Sequence, residues 1–291
     1  GGLAIVFALF LSWITRGPVN LSRRDGFGVV TFGWLTVTIF GSLPYLFSGV
    51  IEHPISALFE TMSGFTTTGA TILSNLESVP QSIHFWRHLT QWLGGMGIIM
   101  LGMMLLSRVM GGGMALARAE LTGPSLSRLR PKLKETAFAL WIIYIGLTVF
   151  EMFLLHFIGQ MSLFDAVNHG FTTMATGGFS TRDASIGYYD SLTIEAIIIV
   201  FMFVGGINFT LIWFLIAREF MKAFSDEEFK TYLVYIFTAV LFMMVALIST
   251  NISPTDSLRQ SLFQAISIGT STGYTTQDYT TWPVITQFVL M

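Results

Sequence analysis

The chain has no cysteine. This excludes disulfides, thiolate metal sites and a cysteine nucleophile together. Charge is scarce too: Asp, Glu, Lys and Arg make up 11% of the 291 residues, whereas a soluble domain carries about 25%. So few charges cannot cover a water-facing surface, and no nucleic-acid partner is expected. What fills the chain is apolar: 53% hydrophobic residues, with 27 Phe, 15 Met and 28 Gly and a mean hydropathy of +0.67. That composition predicts an all-α polytopic membrane protein with closely packed helices. The chain opens at Gly1 inside one apolar run and closes at Met291 inside another, Val284–Met291. It therefore reads as a fragment of a longer protein, and no signal peptide is assigned.

Apolar segments fall at 3–14, 29–50, 89–107, 136–158, 192–217, 231–250 and 284–291. The five complete ones have roughly the 20 residues that a spanning helix needs. Shorter semi-polar segments at 54–66, 162–175 and 256–270 cannot span and fit re-entrant half-helices. Such backbone is tolerated at membrane depth only where it is buried in protein or lines a cavity.

Of the 15 Lys and Arg residues, 12 fall in loops on one side, from Arg16 through the basic run Arg118, Arg128, Arg130, Lys132 and Lys134 to Lys230. Only Arg87, Arg182 and Arg259 fall on the other. By the positive-inside rule the first side is cytoplasmic. The half-helices then enter from an outer face that holds Glu52, Glu77, Asp183, Asp190, Asp256 and Asp278, acids that would concentrate cations.

Each half-helix runs into a Thr-Gly cluster: Thr67-Thr68-Gly69-Ala70, Ala175-Thr176-Gly177-Gly178 and Ser271-Thr272-Gly273-Tyr274. One such cluster is usually a turn. Three with matching flanks point to loops whose carbonyls face a cation. Glycine permits the required dihedrals, threonine can add ligands or pin the loop, and a half-helix aims its negative end at the ion. The flanks repeat as well. Leu58-Phe59-Glu60, Leu163-Phe164-Asp165 and Leu262-Phe263-Gln264 precede the clusters. Gly94-Gly95-Met96-Gly97 and Gly205-Gly206-Ile207-Asn208 follow the first two, and a third pair would fall near position 300. The second copy is irregular: Phe59 to Gly69 and Phe263 to Gly273 are ten residues apart, but Phe164 to Gly177 is thirteen. Either that half-helix is longer or the coordinating residue is Gly178, or even Gly170.

Other residues admit blander roles. The Gly pairs at 94–95 and 205–206 suit helix packing, with room for the loops as the alternative. Asn208 suits a packing hydrogen bond, and Arg87 suits snorkelling or loop bracing. Glu151, inside an apolar helix, suits a salt bridge or a neutral carboxyl better than an ion ligand. His84 and His88 are spaced i, i+4 but lack a third ligand, so no metal site is expected and an interfacial place is. The methionines suit packing. The loop 111–135 suits topology setting or docking of a cytoplasmic protein equally.

Phe65-Thr-Thr-Thr-Gly-Ala-Thr71, Trp92-Leu-Gly-Gly-Met-Gly97, Phe171-Thr-Thr-Met-Ala-Thr-Gly-Gly-Phe-Ser180 and Gly269-Thr-Ser-Thr-Gly-Tyr-Thr-Thr276 resemble the Trk/Ktr/HKT potassium-transporter superfamily over nearly the whole chain. Within it the chain most resembles the membrane subunit of the bacterial Trk system. The resemblance implies tandem helix–pore-helix–helix repeats, four around one pseudo-fourfold, potassium-channel-like pathway, with one filter glycine per repeat. It further implies a homodimer in the bacterial inner membrane, and a cytosolic nucleotide-binding regulatory subunit (TrkA-like) that responds to ATP or NADH. Potassium is the transported ligand, and no organic cofactor is implied. By position, Thr67, Thr68, Gly69, Ala175, Thr176, Gly177, Ser271, Thr272 and Gly273 would be filter residues. Segment 1–14 would be the end of an extra N-terminal helix pair, within a stretch 1–28 that leads to the repeats. These are 29–110, then the basic loop 111–135, 136–218, a loop 219–230, and 231–291 as a truncated third. The fourth repeat and the family's intramembrane Gly-rich gate do not occur in this chain.

A sodium-coupled or sodium-permeable relative is the near alternative, disfavoured by Gly69 where such members carry Ser. An intramembrane enzyme would have to use Ser63-Gly64 and His169, which form no recognisable motif. A scaffold or receptor role would leave the triple repeat unexplained.

Overall fold

The structure, a computed structural model, describes residues 23–97, 129–216 and 218–290. Among them every regular element is helical: α1 (Arg23–Ser48), α2 (Pro54–Phe65), α3 (81–97), α4 (Leu129–Phe157), α5 (Leu163–Met174), α6 (Leu192–Gly205), α7 (Phe209–Ile216), α8 (Phe220–Ser225), α9 (Glu227–Ile248), α10 (Pro254–Gly269) and α11 (Val284–Leu290). Short 3-10 turns occupy Leu76–Ser78, Ser185–Tyr189 and Tyr279–Thr281. The expected helix at 3–14 and most of the basic loop, 111–128, lie outside the described residues.

Two compact units are present, Gly1–Met62 and Ser63–Met291. In the first, α1 closes at Gly49, whose φ of +70° suits the left-handed residue that ends many helices. Thr38 Oγ1 meets Met62 Sδ at 3.5 Å, which ties α1 to α2. In the second unit, α5 packs on α4 and α6, and α10 packs on α9 and α6. The helix starts follow from the sequence: Ser162, Ser191, Asp226 and Ser253 cap α5, α6, α9 and α10, each side chain accepting a backbone N–H three residues on. Such a cap is worth about 1 kcal/mol. An acid in each first turn suits the positive helix end.

Three described helices are long and apolar enough to cross a bilayer: Val30–Ser48, Phe138–Phe157 and Glu227–Ile248. Phe138, Val149, Phe237 and Val245 are each more than half exposed, as side chains facing lipid would be. Short helices α2, α5 and α10 stand where the half-helices are expected. The predicted span at 192–217 is not continuous. It breaks at Gly206-Ile207-Asn208 into α6 and α7. Two glycines cost the helix about 1 kcal/mol each relative to alanine. Ile207 N–H falls back to Val204 O, and Asn208 O starts α7 by accepting from Leu211 N–H.

Candidate functional site

The three half-helices end at corresponding positions, and each runs into a loop with one repeated backbone pattern. Thr67, Thr176 and Ser271 have φ of 54°, 50° and 58°. Two residues on, Gly69, Gly178 and Gly273 have φ of 77°, 73° and 83°. A non-glycine residue held left-handed costs on the order of 1 kcal/mol or more. The same strain kept three times over means that the surroundings impose it. A hydroxyl of the half-helix pins each loop by donating to the carbonyl seven residues ahead. Ser63 Oγ reaches Ala70 O at 2.5 Å, Thr172 Oγ1 reaches Phe179 O at 2.9 Å and Ser267 Oγ reaches Tyr274 O at 2.7 Å.

These pins fix the register. Gly178, not Gly177, corresponds to Gly69 and Gly273. Helix α5 has 12 residues, the same as α2, so it is not elongated. The irregular spacing arose because Leu163-Phe164-Asp165 sits one helical turn earlier than its apparent counterparts. Gly170 lies inside α5 against Met152, not in the loop that follows that helix.

Of the expected site residues, Thr67, Thr68, Gly69, Ala70, Thr176, Gly178, Ser271 and Gly273 retain solvent exposure. Ala175 caps the end of α5 and is buried. Gly177, Thr272 and Tyr274 are buried. The Tyr274 hydroxyl pairs with Thr172, so its ring is a prop behind the loop.

The loops touch in sequence. A Cβ built on Gly69 would lie 2.3 Å from Gly177 O, and one on Gly178 would lie 1.8 Å from Thr272 O. Gly177 and Thr272 are corresponding residues, so Gly69 and Gly178 each abut the same carbonyl of the next loop. Among the described residues, the same direction from Gly273 meets nothing within 4 Å.

The Gly pairs stand where helices pack closely on the loops and their half-helices. A Cβ on Gly94 would sit 2.0 Å from Phe65 O, at the end of its own repeat's half-helix; one on Gly95 would sit 3.0 Å from Ala175, in the next. Gly205 and Gly206 repeat the relation with Thr176 at 3.2 Å and Thr270 at 2.6 Å. A tyrosine latches each crossing. Tyr144 donates to Trp92 O at 3.0 Å and stacks on its indole at 5.6 Å. Tyr232 donates to Phe203 O at 3.3 Å and stacks on that ring at 5.1 Å.

Behind the second loop lies a buried polar cluster in which Arg87 takes the bracing role expected for it and Gln91 takes one that the sequence did not suggest. Gln91 Nε2 donates to Gly177 O at 2.7 Å, and Gln91 Oε1 accepts from Phe179 N–H at 3.2 Å. Arg87, 1% exposed, braces the loop through Ser180 O at 3.1 Å and lies 3.6 Å over the Phe179 ring. His169 Nε2 meets Ser180 Oγ at 3.1 Å. His84 and His88 are buried, not interfacial, and bond to Leu76 O and His84 O. Among the described residues no group of three or more His, Cys, Asp or Glu could hold a metal. Glu151 is fully buried, and among the described residues no base pairs with its carboxylate.

Arg182 and Arg259 are also engaged. Arg182 pairs with Asp165 at 3.2 Å, and Arg259 grips the buried Glu195 through two bonds of 2.6 and 2.7 Å. Glu52, Glu77, Asp183, Asp190, Asp256 and Asp278 stay exposed. The Thr280 hydroxyl and backbone N–H hold the Asp278 carboxyl below the usual carboxylate range.

Residues 3–291 match the sequence model of the family described as TrkH, cation transport protein. The chain belongs to the TrkH family. It is 40% identical over 295 residues to the Trk system potassium uptake protein TrkH of Escherichia coli K12, covering 99% of this chain and 61% of that protein. It is 32% identical over 302 residues to the Trk system potassium uptake protein TrkG of the same strain, again covering 99% and 61%. The crystal structure of the potassium transporter TrkH from Vibrio parahaemolyticus superposes with a TM-score of 0.84 at 36% identity, over 99% of this chain and 60% of that one. The chain thus spans about three fifths of the length of these relatives. The TrkH family is one of membrane transporters, not of enzymes.

Proposed function

We propose that this chain forms most of a potassium-uptake pathway, in which the three loops are three strands of a selectivity filter. The observation that carries the reading is the pair of equivalent contacts, Gly69 against Gly177 O and Gly178 against Thr272 O. Equivalent groups meeting in the same sense around an axis suit a ring closed by a fourth strand against Gly273, giving a pseudo-fourfold pore of helix–pore-helix–helix repeats. Carbonyl and hydroxyl oxygens of the loops replace the ion's hydration shell. The half-helices α2, α5 and α10 aim their negative ends at it, and the exposed outer acids raise the local cation concentration. One filter glycine per strand, in place of a longer carbonyl ladder, gives fewer tight sites and looser selectivity.

The relatives are named for potassium uptake as parts of a Trk system. On that basis the full-length protein sits in the bacterial inner membrane with its basic loops cytoplasmic, pairs as a homodimer, and is gated by a cytosolic nucleotide-binding subunit. Rubidium uptake into liposomes that hold the full-length protein, with and without that subunit, tests the proposal. Uptake above that of empty liposomes is expected, and its absence in both conditions refutes the reading. A sodium-coupled or sodium-permeable pathway is the second reading, and glycine at position 69 counts against it. Dependence of the same rubidium uptake on sodium would reverse that preference.

A further inference from the structure

The three loops are alike in backbone but not in how they are held. In the first, Thr66 Oγ1 and Thr68 Oγ1 are hydrogen-bonded at 2.7 Å. In the third, the corresponding Thr270 Oγ1 and Thr272 Oγ1 are also 2.7 Å apart. Each pair ties the end of the half-helix to the residue before the filter glycine. The second loop has Ala175 and Gly177 at these positions, and neither carries a hydroxyl. Gln91 supplies the missing tie from α3. Its amide is fully buried, donates to Gly177 O and accepts from Phe179 N–H. The Phe179 N–H can bond only to an acceptor, which fixes the orientation of the amide. At the corresponding position after the second loop the chain has Met202, which is apolar and offers no such amide. The clamp therefore occurs where the hydroxyl pair is lacking. Gly177 O is also the atom that abuts Gly69, so holding it sets the spacing between the first two loops.

We propose that Gln91 is a positioning residue that stands in for the hydroxyl pair in the second filter strand and sets how well the pathway discriminates potassium from sodium. The proposal rests on the filter reading above. Without the clamp, Gly177 O and Phe179 N–H lose their partners and the strand relaxes, which weakens discrimination before it stops permeation.

The test uses the full-length protein in liposomes and compares rubidium and sodium permeability. Gln91→Met keeps the length and bulk of the side chain but removes both hydrogen bonds. It should pass rubidium while discriminating about tenfold less against sodium, the worth of one or two lost hydrogen bonds. The triple variant Gln91→Ala, Ala175→Thr, Gly177→Thr transplants the hydroxyl pair into space vacated by the amide. It should recover most of the lost discrimination. Wild-type discrimination in Gln91→Met, or no recovery in the triple variant, overturns the proposal. If Gln91→Met does not assemble, assembly and discrimination regained in the triple variant still support it, and failure of both variants to assemble overturns it. Gly69→Ser, measured alongside, separates the two levels. If that change leaves discrimination intact, the filter reading itself fails, whatever the Gln91 variants do.

Discussion

Gly177 and Gly178 are neighbours with opposite demands, and replacing each by alanine tests the register of the second loop. Gly178 has φ of +73°, and its Cβ would lie 1.8 Å from Thr272 O and 2.9 Å from Thr272 C. Alanine in the left-handed region costs roughly 1–2 kcal/mol, and driving backbone apart in a packed site adds about 1–3 kcal/mol. The sum is about 2–5 kcal/mol, comparable with much of a domain's net stability. Gly177 has an ordinary φ, and the nearest atoms to its Cβ would be those of the Gln91 side-chain amide, at 2.4 Å and beyond. That amide can swing away with the loss of two hydrogen bonds, at about 1–3 kcal/mol. Rubidium uptake and thermal stability should therefore fall much further in Gly178→Ala than in Gly177→Ala. Adding Gln91→Ser should lessen the thermal penalty of Gly177→Ala and leave that of Gly178→Ala unchanged. Greater damage from Gly177→Ala, or relief of Gly178→Ala by Gln91→Ser, would show that the register argued from the hydroxyl pins is wrong.

Three further outcomes follow from the same geometry. Gly94→Ala, with its Cβ 2.0 Å from the Phe65 carbonyl, should abolish stable assembly, while Gly205→Ala, 3.2 Å from the Thr176 methyl, should cost about 1 kcal/mol; equal thermal shifts would contradict the contact map. Arg259→Ala strands Glu195, whose side chain is 3% exposed, and should lower stability by about 3–5 kcal/mol. The double change with Glu195→Gln should restore much of that, as a double-mutant cycle would report. Ser267→Ala frees Tyr274 O from its pin and should cost about 1–3 kcal/mol, visible as a lowered denaturation temperature and faster hydrogen exchange at Gly273.

The half-helices were legible in sequence because their signals are local. A Ser or Pro start, an acid in the first turn and a Thr-Gly stop locate α5 and α10 to within two residues at each end. The sequence leaves the register of the second loop open between Gly177 and Gly178, because a Leu-Phe-acid echo stands one helical turn out of place. A better signal was present: Ser63, Thr172 and Ser267 each stand six residues ahead of the left-handed glycine. The break in the span at 192–217 was also marked, by Gly205-Gly206 and Asn208, yet hydropathy alone ran through it. Gln91 could not be found this way, because its partners lie 86 and 88 residues away and nothing local distinguishes a clamp from a solvated amide. The burial of His84 and His88 and the pairing of Arg259 with Glu195, 64 residues apart, are likewise products of tertiary packing.

The central claim is that the Thr-Gly loops select the ion. It is tested most directly by the reversal potential of the full-length protein in a planar bilayer between potassium and sodium solutions, for wild type and Gly69→Ser. A serine at position 69 adds a side chain whose Cβ lies 2.3 Å from Gly177 O, at the proposed filter. The account predicts a reversal potential near that of potassium for the wild type and a clear shift toward that of sodium for the variant. An unchanged reversal potential, in a variant that still conducts, would contradict it.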